Sequence, residues 1–221
     1  MGFIRFCGFV TILGFSAVAL GGTLASDPDA LVYDGTTWQG TAAMAAGDLA
    51  ATVDYCVFDE DDWDYSGYTV QADPAHPGLK VFVYTYQVFG TGSDHIRRFW
   101  ATMLDSNEAF NIGTFIVDAG DTAAVSPSDV ELLGTPENSA NWHFGTSDGA
   151  GGWTGGLEAG QNSIGLVYSS VNVPLMWLGN VQNGGGSGFD LVTSPSNEIP
   201  EPATLALLGV GVAGVLRRRR R

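Results

Sequence analysis

Residues 26–193 predict an all-β fold, an antiparallel β-sandwich of jelly-roll or immunoglobulin-like form. Three observations carry that expectation. Short runs rich in β-branched and aromatic side chains recur along the segment, clusters of Gly, Asp, Ser and Pro punctuate them, and helical periodicity is weak almost everywhere. An N-terminal signal helix and a short C-terminal membrane helix are expected to flank this body.

In chain order, the Ala-rich segment GTAAMAAGDLAA (40–51) is the one place where a helix competes with a strand. In LAATVDYCVF (49–58), Val53, Tyr55 and Val57 alternate with Thr52, Asp54 and Cys56, the period-two signature of a strand. LKVFVYTYQVF (79–89) is apolar on both faces and dense in aromatic and β-branched residues, as a central strand should be. The runs HIRRFWATML (95–104), FNIGTFIVD (110–118), DVELLG (129–134), NWHF (141–144), NSIGLVYSSV (162–171) and LMWLGNV (175–181) follow, separated by turn-rich stretches. SPSNE (194–198) reads as an extended tether, which places a linker at 194–199. No internal repeat is present.

The two ends differ in composition from the body. Residues 1–25 begin with one cation at Arg5, continue with an apolar stretch from Phe6 to Leu20, and end in small residues. This is the layout of a secretory signal with cleavage between Ala25 and Ser26. A retained membrane helix is the competing reading, and the run is short against the ~20 apolar residues a span needs. At the other end, Ala203–Leu216 carries no charge and runs directly into Arg217, Arg218, Arg219, Arg220 and Arg221. A helix over that stretch would reach roughly 21 Å at ~1.5 Å per residue, short for a hydrocarbon core of ~30 Å. The arginine block should remain cytoplasmic under the positive-inside bias, so both ends predict a body outside the inner membrane.

Charge is partitioned in the same way. All 24 acidic residues lie between Asp27 and Glu201, against only Lys80, Arg97 and Arg98, so the body carries −21. Such a surface repels phosphate backbones, which excludes nucleic acid as a partner. Cys7 would leave with the signal, and Cys56 alone cannot form an internal disulfide; its strand context predicts burial as a small apolar residue.

Several motifs invite chemistry. Asp62, Asp64, Ser66 and Asp73, in DEDDWDYSGYTVQAD, fit part of a calcium loop, because alternating carboxylates around a glycine bend can converge on a hard cation. A solvated acidic loop is the alternative, and Thr69 replaces the apolar residue an EF-hand loop would have there. Gly145-Thr146-Ser147-Asp148-Gly149 matches the nucleophile elbow of α/β-hydrolases, but no helix follows it and His76, His95 and His143 all precede Ser147. Gly209–Gly214 matches the dinucleotide fingerprint within an apolar tail that has no room for an acidic ribose partner. The scattered histidines give no zinc pattern. Of the six tryptophans, Trp63 and Trp153 lie in acidic or Gly-rich loops and are candidates for a saccharide platform, with packing as the alternative for each. Trp100 and Trp177 lie in apolar runs and are expected in the core. No cofactor is expected, with calcium the one ion the sequence would admit.

Pro200-Glu201-Pro202, a short apolar helix and a terminal arginine cluster, in that order over residues 200–221, resemble the PEP-CTERM sorting signal of exopolysaccharide-forming bacteria. The resemblance implies recognition of Pro200, Glu201 and Pro202 by an exosortase after export by the secretion machinery. It also implies transient holding in the inner membrane and delivery of the body to the cell surface or medium. A plain C-terminal anchor with a stop-transfer cluster is the competing reading. In addition, ATVDYCVF followed by VFVYTYQVFG is similar to uncharacterised planctomycete-type secreted proteins, a resemblance that brings no activity. The expected function is therefore a non-enzymatic structural or adhesive protein of the cell surface or extracellular matrix. The alternative is a carbohydrate-binding module for exopolysaccharide, with calcium as a candidate requirement, and a secreted hydrolase ranks last.

Overall fold

The computed structural model describes residues 24–104, 109–118, 121, 123–134, 138–147 and 153–196. The signal segment, the Pro200-Glu201-Pro202 motif and the arginine cluster lie outside them. Among the described residues there is no α-helix, and no helix long and apolar enough to cross a membrane. The strands are β1 (Val32–Tyr33), β2 (Thr36–Thr37), β3 (Gln39–Ala46), β4 (Leu49–Asp59), β5 (Phe82–Gly90), β6 (Arg98–Thr102), β7 (Phe110–Phe115), β8 (Asp129–Leu133), β9 (Ser139–His143), β10 (Gly145–Ser147), β11 (Trp153–Gly155), β12 (Gly165–Ser170), β13 (Pro174–Gln182) and β14 (Ser187–Pro195).

Ten of these strands form two five-stranded antiparallel sheets. The first has the order β3-β4-β5-β12-β7 and the second β14-β13-β6-β9-β8. Hairpins supply the edge pairs β3-β4, β13-β14 and β8-β9, whereas the inner pairs β5-β12 and β6-β13 and the edge pair β12-β7 join strands distant in sequence. The Ala-rich segment resolves as a hairpin, not a helix. Ala42 and Met44 are buried while Thr41, Ala43 and Ala45 are exposed, so burial follows a period of two, and Gly47 turns the chain at φ +63°.

The two sheets face one another across a shared core. Tyr84 and Tyr86 of β5 and Leu166 and Tyr168 of β12 meet Phe99 of β6 and Trp142 of β9. The Tyr86 ring lies 5.3 Å from Phe99 and 5.9 Å from Trp142, centroid to centroid, in the tilted arrangements that aromatic quadrupoles favour. The polar tips of these rings are satisfied, since Trp142 Nε1 donates across the core to Gly113 O at 2.9 Å and Tyr84 Oη to Asn172 O at 2.7 Å.

A second layer covers the outer face of the first sheet. Cys56, Phe58, Val83, Phe115 and Val167 point away from the shared core and are buried beneath Leu24, Ala30, Trp63, Tyr65, Tyr68 and Val70. This explains why every residue of β5 is buried and why its sequence is apolar on both faces. Burial pushes the Cys56 thiol well above its ordinary range, with the Asp27 charge adding to the effect, so the thiol is unreactive.

Two boundaries depart from the sequence expectation. β14 runs to Pro195, Ser194 Oγ donates to Thr102 O at 2.7 Å, and Ser196 N donates to Val173 O at 2.9 Å, so residues 194–196 belong to the body and not to a tether. At the start, Leu24–Ser26 forms a short 3-10 turn whose Leu24 side chain is fully buried in the second layer. The Ala25–Ser26 cleavage point falls inside that turn.

Candidate functional site

The outer face of the second sheet carries the candidate site. Phe99, Ala101, Ala140, Trp142, Val181 and Val192 fill the shared core, so alternation sends Arg98, Trp100, Asn141, His143, Asn180 and Gln182 to the opposite face. Register then lines them up across strands. One row runs Asp129, His143, Arg98, Gln182 and Ser187; the next runs Glu131, Asn141, Trp100, Asn180 and Phe189.

Hydrogen bonds fix this face. Arg98 donates from Nε at 2.8 Å and from Nη2 at 2.5 Å to Asn141 Oδ1, while its guanidinium carbon lies 4.6 Å above the Trp100 ring, a cation–π distance. Asn141 is fully buried and donates onward to Ser139 Oγ at 2.8 Å. His143 Nε2 and Glu131 Oε1 are 2.9 Å apart, which orients the imidazole. Asn180 is also buried, yet neither of its amide atoms has a hydrogen-bond partner among the described residues.

The β10-β11 ribbon brings an aromatic wall to this face. Gly145–Ser147 pairs with Trp153–Gly155, so Gly145 meets Gly155 and Ser147 meets Trp153. Reciprocal backbone bonds between Ile96 and Leu157, at 2.9 and 2.8 Å, tie the ribbon to the start of β6. Trp153 then lies parallel to His143, within 5° and 6.2 Å between centroids, and is half-buried. Arg97, Arg98, His143, Trp153, Gln182 and Gly184 enclose a cavity of about 260 Å³. A cation pair, an imidazole and a flat indole face therefore converge on one hollow, which suits an anionic group attached to a ring with an apolar face.

The tryptophan expectations change accordingly. Trp142 is the fully buried one, whereas strand parity turns Trp100 half-buried onto the outer face, and Trp177 is 36% exposed although it shares the parity of Val181 and pairs with Val192. Trp63 packs into the second layer, with ring centroids 5.5 Å from Phe58, 5.0 Å from Phe115 and 5.9 Å from Tyr68, and its indole N–H bonds Tyr68 O at 3.2 Å. Of the two proposed saccharide platforms, Trp153 stands beside a cavity and Trp63 is packed among rings.

The acidic loop does not assemble as a cation site. Asp62, Asp64 and Ser66 are exposed, and Asp73 turns to Ala75 N at 2.8 Å and His76 Nδ1 at 2.7 Å. Burial would raise the Asp73 carboxyl, but those hydrogen bonds and the His76 charge outweigh it and hold the group below its ordinary value. Among the described residues no group of three His, Cys, Asp or Glu gathers so as to hold a metal ion. The Gly145–Ser147 stretch is a strand and not a strand-to-helix elbow. A second cavity of about 280 Å³, lined by Gln87, Ile116, Val117, Asp118, Asp121 and Ile164 among others, adds no cation to the acidic body.

Residues 198–221 match the PEP-CTERM protein-sorting motif, which marks an exported chain carrying a C-terminal sorting tail for an exosortase. No curated protein and no solved structure is similar to the chain, so the likeness of the body to planctomycete-type proteins has no support from relatives.

Proposed function

We propose that the body is a non-catalytic β-sandwich of jelly-roll form that binds saccharide outside the cell through the outer face of its second sheet, and that this binding is its adhesive role in the surface matrix. The strand order favours the jelly roll over the immunoglobulin-like form. The triplets β5-β12-β7 and β13-β6-β9 interleave strands from both halves of the chain, as double Greek keys do. The observation that carries the binding reading is Trp153, a half-buried ring parallel to His143 beside a polar hollow. Stacking uses the apolar face of a sugar, and the adjacent guanidinium and amide groups hydrogen-bond its hydroxyls.

Delivery to exopolysaccharide by an exosortase supplies the partner's chemistry. The exported protein should be retained on its producer's immobilised exopolysaccharide, and Trp153→Ala should elute early at an unchanged melting midpoint. Retention that is lost in chelator would favour the calcium-dependent form. Free passage of the parent protein, with calcium present or absent, would overturn the reading.

A further inference from the structure

The hollow at the start of β6 is where the body's charge is inverted. Of three Lys and Arg residues set against 24 carboxylates, Lys80 is engaged by Asp59. Arg98 is held by Asn141 and Trp100. Arg97 differs from both. Among the described residues its guanidinium has no carboxylate partner, and its Nε is shielded from solvent without a hydrogen bond. A buried guanidinium N–H left unpaired is costly, and it persists in a protein so rich in carboxylates only where the fold keeps them away. Of the described acids around this face, Glu131 bonds His143, Asp94 accepts from Asn183 Nδ2 at 2.7 Å, and Asp129, in the row of His143 and Arg98, accepts from Val130 N at 2.9 Å.

Gly184 adds a second feature. Its backbone sits at φ +97°, and a side-chain carbon built there would come within 3.4 Å of Arg97 Nη1 and 3.9 Å of Trp153 Cδ1. The missing side chain leaves the guanidinium and the indole edge open to the same approach. About 260 Å³ is below the ~300–1,000 Å³ typical of pockets for larger ligands, which fits one sugar residue and not an extended chain.

We infer that this hollow seats one acidic sugar residue, a uronic acid, with its carboxylate on Arg97 and its ring face against Trp153. This rests on the saccharide-binding reading above and specifies the charge of the residue recognised. A guanidinium fork matches a carboxylate with two parallel N–H···O bonds, which a neutral hydroxymethyl group cannot reproduce. The surrounding −21 would repel a dense polyanion, while a single acid among neutral sugars gains the local contact at small long-range cost, since charges beyond ~8–10 Å are screened at physiological salt.

The test is calorimetric titration of the exported protein with a gluco-oligosaccharide ending in glucuronate, and with the same oligosaccharide after its carboxyl is reduced to the alcohol. We expect at least tenfold weaker binding of the reduced sugar. Arg97→Gln should erase that difference, Arg97→Lys should keep part of it, and Trp153→Ala should weaken both sugars. Equal binding of the two sugars by the parent protein would overturn the anion seat and leave saccharide binding standing. Binding of neither would overturn both, and an Arg97→Gln variant that folds and still discriminates would move the anion to another group.

Discussion

The two sheets differ in what lies outside them. The outer face of β4-β5-β12-β7 is sealed by Leu24, Trp63, Tyr65 and Tyr68, whereas the outer face of β13-β6-β9 is left half open with Arg98, Trp100, His143 and Gln182 upon it. Both faces are aromatic, but the rings do opposite work. On the sealed face Phe58 and Phe115 each meet Trp63 and Tyr65 edge to face at about 5–6 Å and make a second core. On the open face Trp100 is paired with Arg98 and Trp153 with His143 instead. Aromatic residues packed on aromatics stabilise; aromatic residues set among polar groups at a hollow are available to a ligand.

This contrast can be broken by mutation. Phe58→Ala removes a fully buried ring from the sealed face and should cost about 3–5 kcal/mol in denaturant unfolding, while Trp100→Ala on the open face should cost about 1 kcal/mol, mostly the lost cation–π contact. Similar losses for the two would mean the faces do not differ in kind. Leu24→Ala should cost about 2–5 kcal/mol, because Leu24 is as buried as any residue of the second layer. Processing between Ala25 and Ser26 would strip this side chain from its place. The exported protein is therefore expected to begin upstream of Leu24, and its intact mass reads that directly.

Asn180→Leu acts in the other direction. Both amide atoms of Asn180 are buried without partners among the described residues, so an apolar side chain of similar size should raise stability by about 1 kcal/mol, measured as a higher urea midpoint. A drop of that size would show that the amide is satisfied in solution. The smallest effect concerns pH. Asp73 has a folded pKa below its unfolded value near ~3.9, so its contribution is fully present above that value and is lost as pH falls through the lower folded one. Urea midpoints should therefore decline in acid more steeply for the parent than for Asp73→Asn, and parallel curves would remove Asp73 from the account.

Much of this was legible in sequence. The apolar, two-sided run at 79–89 is the doubly buried β5, the alternation at 53–58 is β4, and the sorting tail is recognised from residue order alone. The hairpin at 39–59 was obscured because Ala has helical propensity and its alternation is visible only through Thr41 and Met44. β14 was hidden by its polar residues Asp190, Thr193 and Ser194, two of which are buried by pairing rather than by hydrophobicity. The site was legible only in part. Arg98, Trp100 and Thr102 share one parity, so the outward arginine already marked Trp100 as an outer-face residue. No local pattern joins Arg97 to Trp153 or Gly184, because that juxtaposition is made by the β10-β11 ribbon and the β13-β14 turn.

The most direct test of the contrast between the faces is side-chain footprinting of the exported protein, read by mass spectrometry, with and without the glucuronate-ended oligosaccharide. The account predicts that labelling falls at Trp153, His143 and the Arg97 peptide while Trp63 and Tyr65 are unchanged. Protection of the 60–70 segment, with Trp153 labelled as before, would contradict it.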